Sequence, residues 1–362
     1  MRRLVFVASL VLASTSARAD FCPSYSSTSS DNPGDCGVAS APGTNPSISA
    51  WQAFFATAAA GPAGAGWTGP TIPDIDDGCP NPVKESAHFP CELVKAIAMQ
   101  ESGWVQFCAP TEPSDQVGMP SRTIISSDCG YGVVQVTSGM HVGDTADFDR
   151  DSVAADPLYD IEVGLQILAG KWSTTPCVGN NVPDIVEDWY LATWAYNGFA
   201  YSNNPNNPNF DSMRGVCDPN VGCGARPYQE LIWGWMEHPP ADGRWPVLAP
   251  AYPDLAQIPS ASGATVPQLD EPSCAGPTDC TSTRAVHHTS CGASPDLGGP
   301  DLEARDLGGL DAASDASEMR TARNGCACQL AGRPQSVSLF TLACVMLGLG
   351  FALYCARRRV QG

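Results

Sequence analysis

A glutamate at the end of an apolar helical run is the first group in this chain with the makings of a reagent. In the stretch from Cys91 to Gly103, Leu93, Val94, Ile97, Ala98 and Glu101 recur at three- and four-residue steps and so share one helix face. Gly103 stands where such a helix stops. A carboxyl held against apolar neighbours resists ionising, which is the condition for a general acid working near neutral pH. The same periodicity also describes a structural carboxylate that turns into water or meets a basic side chain. A second acidic cluster, Asp147, Asp149 and Asp151, has the alternation of a calcium loop. It lacks the glycine at the sixth position (Ser152) and the glutamate at the twelfth (Leu158), so a solvated acidic loop is expected there. None of the cysteine spacings forms the paired blocks of a zinc site, and no metal or organic cofactor is expected.

Several elements must position Glu101. Ser47 to Ala60 reads as a helix with Trp51, Phe54, Phe55 and Ala58 inward, a serine cap at 47 or 49 and a stop at Gly61-Pro62. After the Glu101 helix comes a long loop, Trp104 to Asp128, whose flanking Cys108 and Cys129 are suited to clamp it. The segment Gly130-Tyr131-Gly132-Val133-Val134-Gln135-Val136 predicts an unusual turn leading into a short strand. Asp156-Pro157 opens a helix carrying Ile161, Leu165, Leu168 and Trp172. Asp184 to Ala195 forms another that ends in Tyr196-Asn197-Gly198, and Tyr228 to Met236 makes a short last one.

The ends of the chain read differently. Residues 1–19 have the charged start, apolar run and Ala17-Arg18-Ala19 finish of a secretory signal. Export suits a chain with 16 cysteines, 12 of them between Cys22 and Cys291, an even number that suggests disulfides without revealing their pairing. A net charge of -19 with no basic patch argues against nucleic acid or an anionic membrane surface as a partner. Residues 256–325 are rich in Ala, Ser, Pro, Gly, Asp and Thr, and Asp296-Leu297-Gly298-Gly299 recurs as Asp306-Leu307-Gly308-Gly309. A flexible acidic stalk is expected, with Cys274, Cys280 and Cys291 stapling a small knot. The apolar run from Ser336 to Ala356 has the length of a membrane-spanning helix, and Arg357-Arg358-Arg359 marks its cytoplasmic side.

Two resemblances follow. Glu101-Ser102-Gly103, then Gly130 to Val136, then Ala195-Tyr196-Asn197-Gly198, with the Asp156-Pro157 helix start between the last two, resemble in order the motifs of the catalytic domain of soluble lytic transglycosylases and goose-type lysozymes. The likeness spans residues 86 to about 238. It implies that Glu101 protonates the glycosidic oxygen between N-acetylmuramic acid and N-acetylglucosamine. Gln135, Tyr196 and Asn197 would line the groove, and Ser102 would be either a helper or a local backbone partner. Each has a plainer account: Gln135 as a tie between elements, Tyr196 as core, Asn197 as a cap. In this family the substrate's acetamido group and 6-hydroxyl replace a second carboxylate, leaving a 1,6-anhydro sugar. Asp128 is the candidate second carboxylate of a goose-type, inverting alternative, and reads first as a turn residue. A non-catalytic glycan-binding protein on the same fold is the remaining alternative. The spacing from Glu101 to Gly130 exceeds the family's, and Val134 stands where Met is usual.

Gly325-Cys326-Ala327-Cys328, the apolar run and the terminal arginines together resemble the MYXO-CTERM sorting tag of myxobacterial surface proteins, which implies a processing protease acting near Cys326. The expected fold class is mainly α (α+β): a lysozyme-like, disulfide-stabilised helical domain with a small irregular β segment, a disordered stalk and a C-terminal transmembrane helix. The expected organisation is a signal peptide at 1–19, a cysteine-containing arm and aromatic helix at 20–85, the lysozyme-like transglycosylase domain at 86–245, an acidic linker at 246–325, and the tag at 326–362 with its transmembrane helix at 336–356. The expected partners are peptidoglycan glycan strands and, through 336–356, a membrane. The expected location is the cell envelope or surface.

Overall fold

The computed structural model describes residues 36–72, 75, 87–108, 121–126 and 128–289. The signal peptide, residues 290–325, the sorting tag and the span at 336–356 lie outside the described residues. Among the described residues no helix is long and apolar enough to cross a membrane.

Side-chain caps written into the sequence set three of the six α-helix starts among the described residues. Helix α1 (Ile48–Ala59) begins at Ser47, whose hydroxyl accepts the Ala50 N–H at 3.2 Å. Helix α2 (Cys91–Ser102) ends at Gly103 in the left-handed conformation, φ 69. The strands β1 (Phe107–Cys108) and β2 (Arg122–Thr123) pair antiparallel. Helix α3 (Arg150–Ala155) is capped by Asp149, and α4 (Pro157–Trp172) by Asp156, whose carboxylate accepts the Leu158 and Tyr159 N–H groups. A 3-10 turn at Glu187–Trp189 leads into α5 (Tyr190–Tyr196). Then come α6 (Tyr228–Glu237) and a hairpin of β3 (Cys274–Gly276) and β4 (Asp279–Thr283). The protein is mainly helical with a few short strands.

Helix α2 lies within the core of the described residues. Every residue from Cys91 to Met99 is buried, Glu92 and Lys95 included, with α1 and α6 packed on it. Its periodicity predicts a single apolar stripe. The helix is instead enclosed on all sides, because segments outside the expected domain cover its polar face: Thr289 Oγ1 donates to Glu92 Oε2 at 2.9 Å. Burial lowers the Lys95 pKa against the pull of Glu92. Aromatic rings fill the space around α2. Phe55 lies 4.6 Å from Trp104, Trp104 5.4 Å from Trp245, and Trp172 4.2 Å from Trp189. Truncating such a ring to alanine costs roughly 3–5 kcal/mol.

Three disulfides join described residues, Cys36–Cys129, Cys217–Cys223 and Cys274–Cys280, and Cys91, Cys108 and Cys177 are also disulfide-bonded. Cys129 therefore does not clamp the long loop to Cys108. It ties the N-terminal arm to the glycine turn across 93 residues, a closure worth about 4–5 kcal/mol on chain-entropy grounds. The arm is part of the core: Thr123 N donates to Ala41 O at 2.8 Å, and Tyr131 Oη donates to Val38 O.

The linker expected at 246–325 is corrected over its first half. Leu248, Ala251, Tyr252, Ile258, Val266, Leu269 and Cys274 are buried. Spaced apolar residues and polar clasps hold this segment where composition predicts a stalk. Arg284 donates to both oxygens of Glu237 at 2.7 and 2.9 Å. Glu187, fully buried, accepts the His287 and Ala251 N–H groups at 2.8 and 3.0 Å and lies 2.8 Å from His287 Nδ1. The acidic stretch 147–152 is likewise not all loop, since Asp149 caps α3.

Candidate active site

Glu101 occupies the last turn of α2, half-buried. Tyr228, in the first turn of α6, donates its hydroxyl to Glu101 Oε1. Burial pushes the Glu101 pKa up to about 7. The Tyr228 hydrogen bond works against that rise, and the negative charge of Asp128 adds to it. The carboxyl is thus divided between its protonated and ionised forms near neutral pH, as a group that gives and regains a proton must be.

The turn at 130–136 is locked from two sides. Tyr131 and Val136 exchange backbone hydrogen bonds at 3.0 and 2.9 Å, closing a tight turn where the alternation predicts a strand. Gly132 has φ +68, and a Cβ there would lie 2.2 Å from Asp160 Oδ2 and 2.4 Å from Gln106 Oε1, so only glycine fits. Gln106 Oε1 accepts the Val133 N–H at 2.7 Å and Asp160 Oδ1 the Val134 N–H at 3.1 Å. Burial drives the Asp160 pKa well above the carboxylate range.

Side chains from the other motifs meet on this turn. Ser102 Oγ lies 2.8 Å from Val133 O and 3.2 Å from Ala98 O and accepts the Val105 N–H at 3.1 Å. Its hydroxyl is committed to backbone and fastens the end of α2 to the turn. Tyr196 Oη donates to Val134 O at 2.8 Å, fastening α5 to the same turn. Burial and the nearby Glu101 and Asp160 carboxyls raise its phenol pKa far above the ordinary value, so it remains a neutral donor. Gln135, at φ 54, folds its side chain back to donate to Gly132 O at 2.8 Å. Asn197 is exposed at the C-cap of α5, where Asn203 Nδ2 donates to its carbonyl at 2.9 Å and reaches its Oδ1 at 3.2 Å. Asp128 is exposed and accepts the Ser126 hydroxyl at 2.6 Å.

The structure therefore gathers Glu101, Ser102, Tyr196 and the Gly130–Val136 turn, with Asp128 within electrostatic reach. Gln135 and Ser102 brace the frame. Three further residues escape sequence reasoning: Tyr228, Gln106 and Asp160. Asp160 carries a signal, since it falls four residues before Gly164 and eight before Leu168 on an otherwise buried helix face. Tyr228 carries none, because its meeting with Glu101 depends on how α6 crosses α2. Trp235 Nε1 donates to Gln100 Oε1 at 2.9 Å across that crossing, and a buried ion pair anchors the first turn of α6 to the preceding loop, with Arg214 Nε and Nη2 each 2.6 Å from Glu230.

Among the described residues no group of three or more His, Cys, Asp or Glu side chains could hold a metal ion. Fold and site together define a disulfide-bonded, mainly helical protein with a half-buried carboxyl at a helix end whose pKa burial raises to about 7. Comparison with protein-family models, with curated proteins and with solved structures finds no match for this chain.

Proposed function

We propose that this protein is a peptidoglycan lytic transglycosylase with a lysozyme-like catalytic domain, exported and tethered at the cell envelope, and that Glu101 is its acid and then its base. The observation that carries the reading is the convergence of three separate stretches. Ser102 and Tyr196 both bind the backbone of the 130–136 turn, and the Glu101 carboxyl lies beside them with its pKa at about 7.

The chemistry follows from that carboxyl. Protonated Glu101 gives its proton to the glycosidic oxygen as the C1–O bond breaks. Tyr228 then steadies the new carboxylate by its hydrogen bond. The sugar's own 6-hydroxyl attacks C1 and its proton returns to Glu101, leaving a 1,6-anhydro ring and a recharged acid. The cycle balances without a second carboxylate, in contrast to ordinary glycosidases.

Asp128 supports one other reading. It is exposed and close enough for its charge to act on Glu101, as a carboxylate activating water for inverting hydrolysis would be. Mass spectrometry of peptidoglycan digested with the purified protein separates the two, because a transglycosylase releases anhydromuropeptides and a hydrolase releases reducing ends. The Glu101→Gln protein is expected to release neither. Binding to peptidoglycan without cleavage, unchanged by Glu101→Gln, would make the protein a glycan-binding one instead.

A further inference from the structure

We propose that Phe199 is a stacking plate for a sugar ring and, with Asn197, forms a glycan subsite beside Glu101. The inference rests on the glycan-cleaving reading and specifies how the polymer is held.

Phe199 is 41% exposed and is the only exposed Phe, Trp or Tyr among the described residues. Exposure of a single apolar side chain is ordinary. This ring, however, is held in place. Its centroid lies 4.6 Å from that of the buried Trp194 at an interplanar angle of 57°, so one side is backed by core. The backbone around it is folded tightly: Gly198 has φ +91, Ala200 N donates to Gly198 O at 2.8 Å, and Trp194 Nε1 donates to Ala200 O at 3.3 Å. A ring immobilised before its ligand arrives loses little entropy on binding.

Its neighbour supplies the complementary chemistry. Asn203 holds the carbonyl oxygens of Asn197 and so orients its amide, while Asn197 Nδ2 makes no hydrogen bond to the described residues. An apolar plate beside an outward amide donor suits a pyranose, which offers a C–H face for stacking and hydroxyl or acetamido oxygens at its rim. The location fits as well. Tyr196 is close enough to Glu101 to feel its charge, and Phe199 follows three residues later, at most roughly 10 Å of chain. A glycan strand reacting at Glu101 passes within reach.

The test uses the purified protein carrying Glu101→Gln, titrated with the β-1,4-linked hexamer of N-acetylglucosamine and followed by calorimetry. Adding Phe199→Ala is expected to weaken binding about tenfold, and Phe199→Trp to preserve it. In the otherwise unaltered enzyme, Phe199→Ala is expected to raise KM for glycan strands about tenfold with little change in kcat. Cleavage by the unaltered enzyme with no effect of Phe199→Ala on KM or binding overturns the plate and leaves the proposed function standing. Absence of cleavage together with Phe199-dependent binding overturns the proposed function and keeps the plate. Equal affinity of the Ala, Trp and unsubstituted proteins, or no binding by any of them, overturns the plate.

Discussion

Two carboxyls on helices packed against each other, half-buried Glu101 at the end of α2 and fully buried Glu230 in the first turn of α6, have different partners. Glu230 is 1% exposed and is gripped by Arg214, itself 4% exposed, through two charged hydrogen bonds of 2.6 Å. Burial raises the Glu230 pKa and the Arg214 hydrogen bonds and charge oppose that rise; the same contacts raise the Arg214 pKa against its own burial, so the guanidinium stays charged. Glu101 accepts the phenol hydroxyl of Tyr228, and the negative charge of Asp128 raises its pKa further. Desolvation is common to both. The partners differ: a guanidinium opposes the rise in pKa at Glu230, whereas a phenol and another acid act on Glu101.

Breaking the active half of this contrast should give the largest effect. Glu101→Gln is expected to lower cleavage at least 10²–10⁴-fold, the usual contribution of a general acid, measured by release of soluble muropeptides. The same variant should be more stable than the parent at alkaline pH. The folded pKa of about 7 lies above the unfolded value of 4.5, so the parent loses stability as pH rises from 4.5 to 7 and carries the full cost above that. The cost is up to roughly 3 kcal/mol by the usual conversion. Melting at pH 4 and pH 8 checks the sign: no difference at pH 4, and a higher Tm for the variant at pH 8.

Breaking the structural half should cost stability instead. Arg214→Met leaves the buried Glu230 without its two hydrogen bonds and with only Arg226, 4.0 Å away, as a cation, and is expected to cost about 3 kcal/mol in urea unfolding. Replacing both with apolar residues, Arg214→Met with Glu230→Leu, should recover most of that loss. If Arg214→Met alone is silent, the ion pair is not structural.

Subtler changes should tune Glu101 in opposite directions. Tyr228→Phe removes a donor to the carboxylate and is expected to move the alkaline limb of the pH–kcat/KM profile upward. Asp128→Asn removes a nearby negative charge and should move it downward. Asp128→Asn also separates the two chemical readings. A loss of rate under about tenfold fits a transglycosylase, whereas 10²–10⁴-fold fits a water-activating base. The smallest effect is expected from Thr289→Val, which removes the hydroxyl bonded to Glu92 at the far end of α2. A loss of about 1 kcal/mol in unfolding with an unchanged pH profile would mark that contact as scaffolding.

Much of the scaffold is legible in the residues. The caps at Ser47 and Asp156, the stop at Gly103 and the burial of Trp51, Phe55, Ile161 and Trp172 follow from spacing alone. The site is legible in part. Glu101 on an apolar face and the glycines of the 130–136 turn stand out, while the strand expected after Gly132 is a closed turn because Gln106 and Asp160 capture its N–H groups. Composition misleads most at 246–289, where few apolar residues, well spaced and clasped by Glu187 and Glu237, build an ordered flank.

Helix starts, stops and faces are settled within a few residues of chain, since caps and periodicity act across one or two turns. That α2 carries an acid at its end is a fact of this kind. Which groups meet that acid is not. Tyr228 lies 127 residues from Glu101, Ser102 binds a carbonyl 31 residues away, and Cys129 finds Cys36 rather than Cys108. Such meetings depend on how whole faces pack, a choice made by the shapes of many side chains at once and carried by no single spacing. The helix delivers the carboxyl, and its packing against α6 and the glycine turn makes the carboxyl hold a proton near neutral pH.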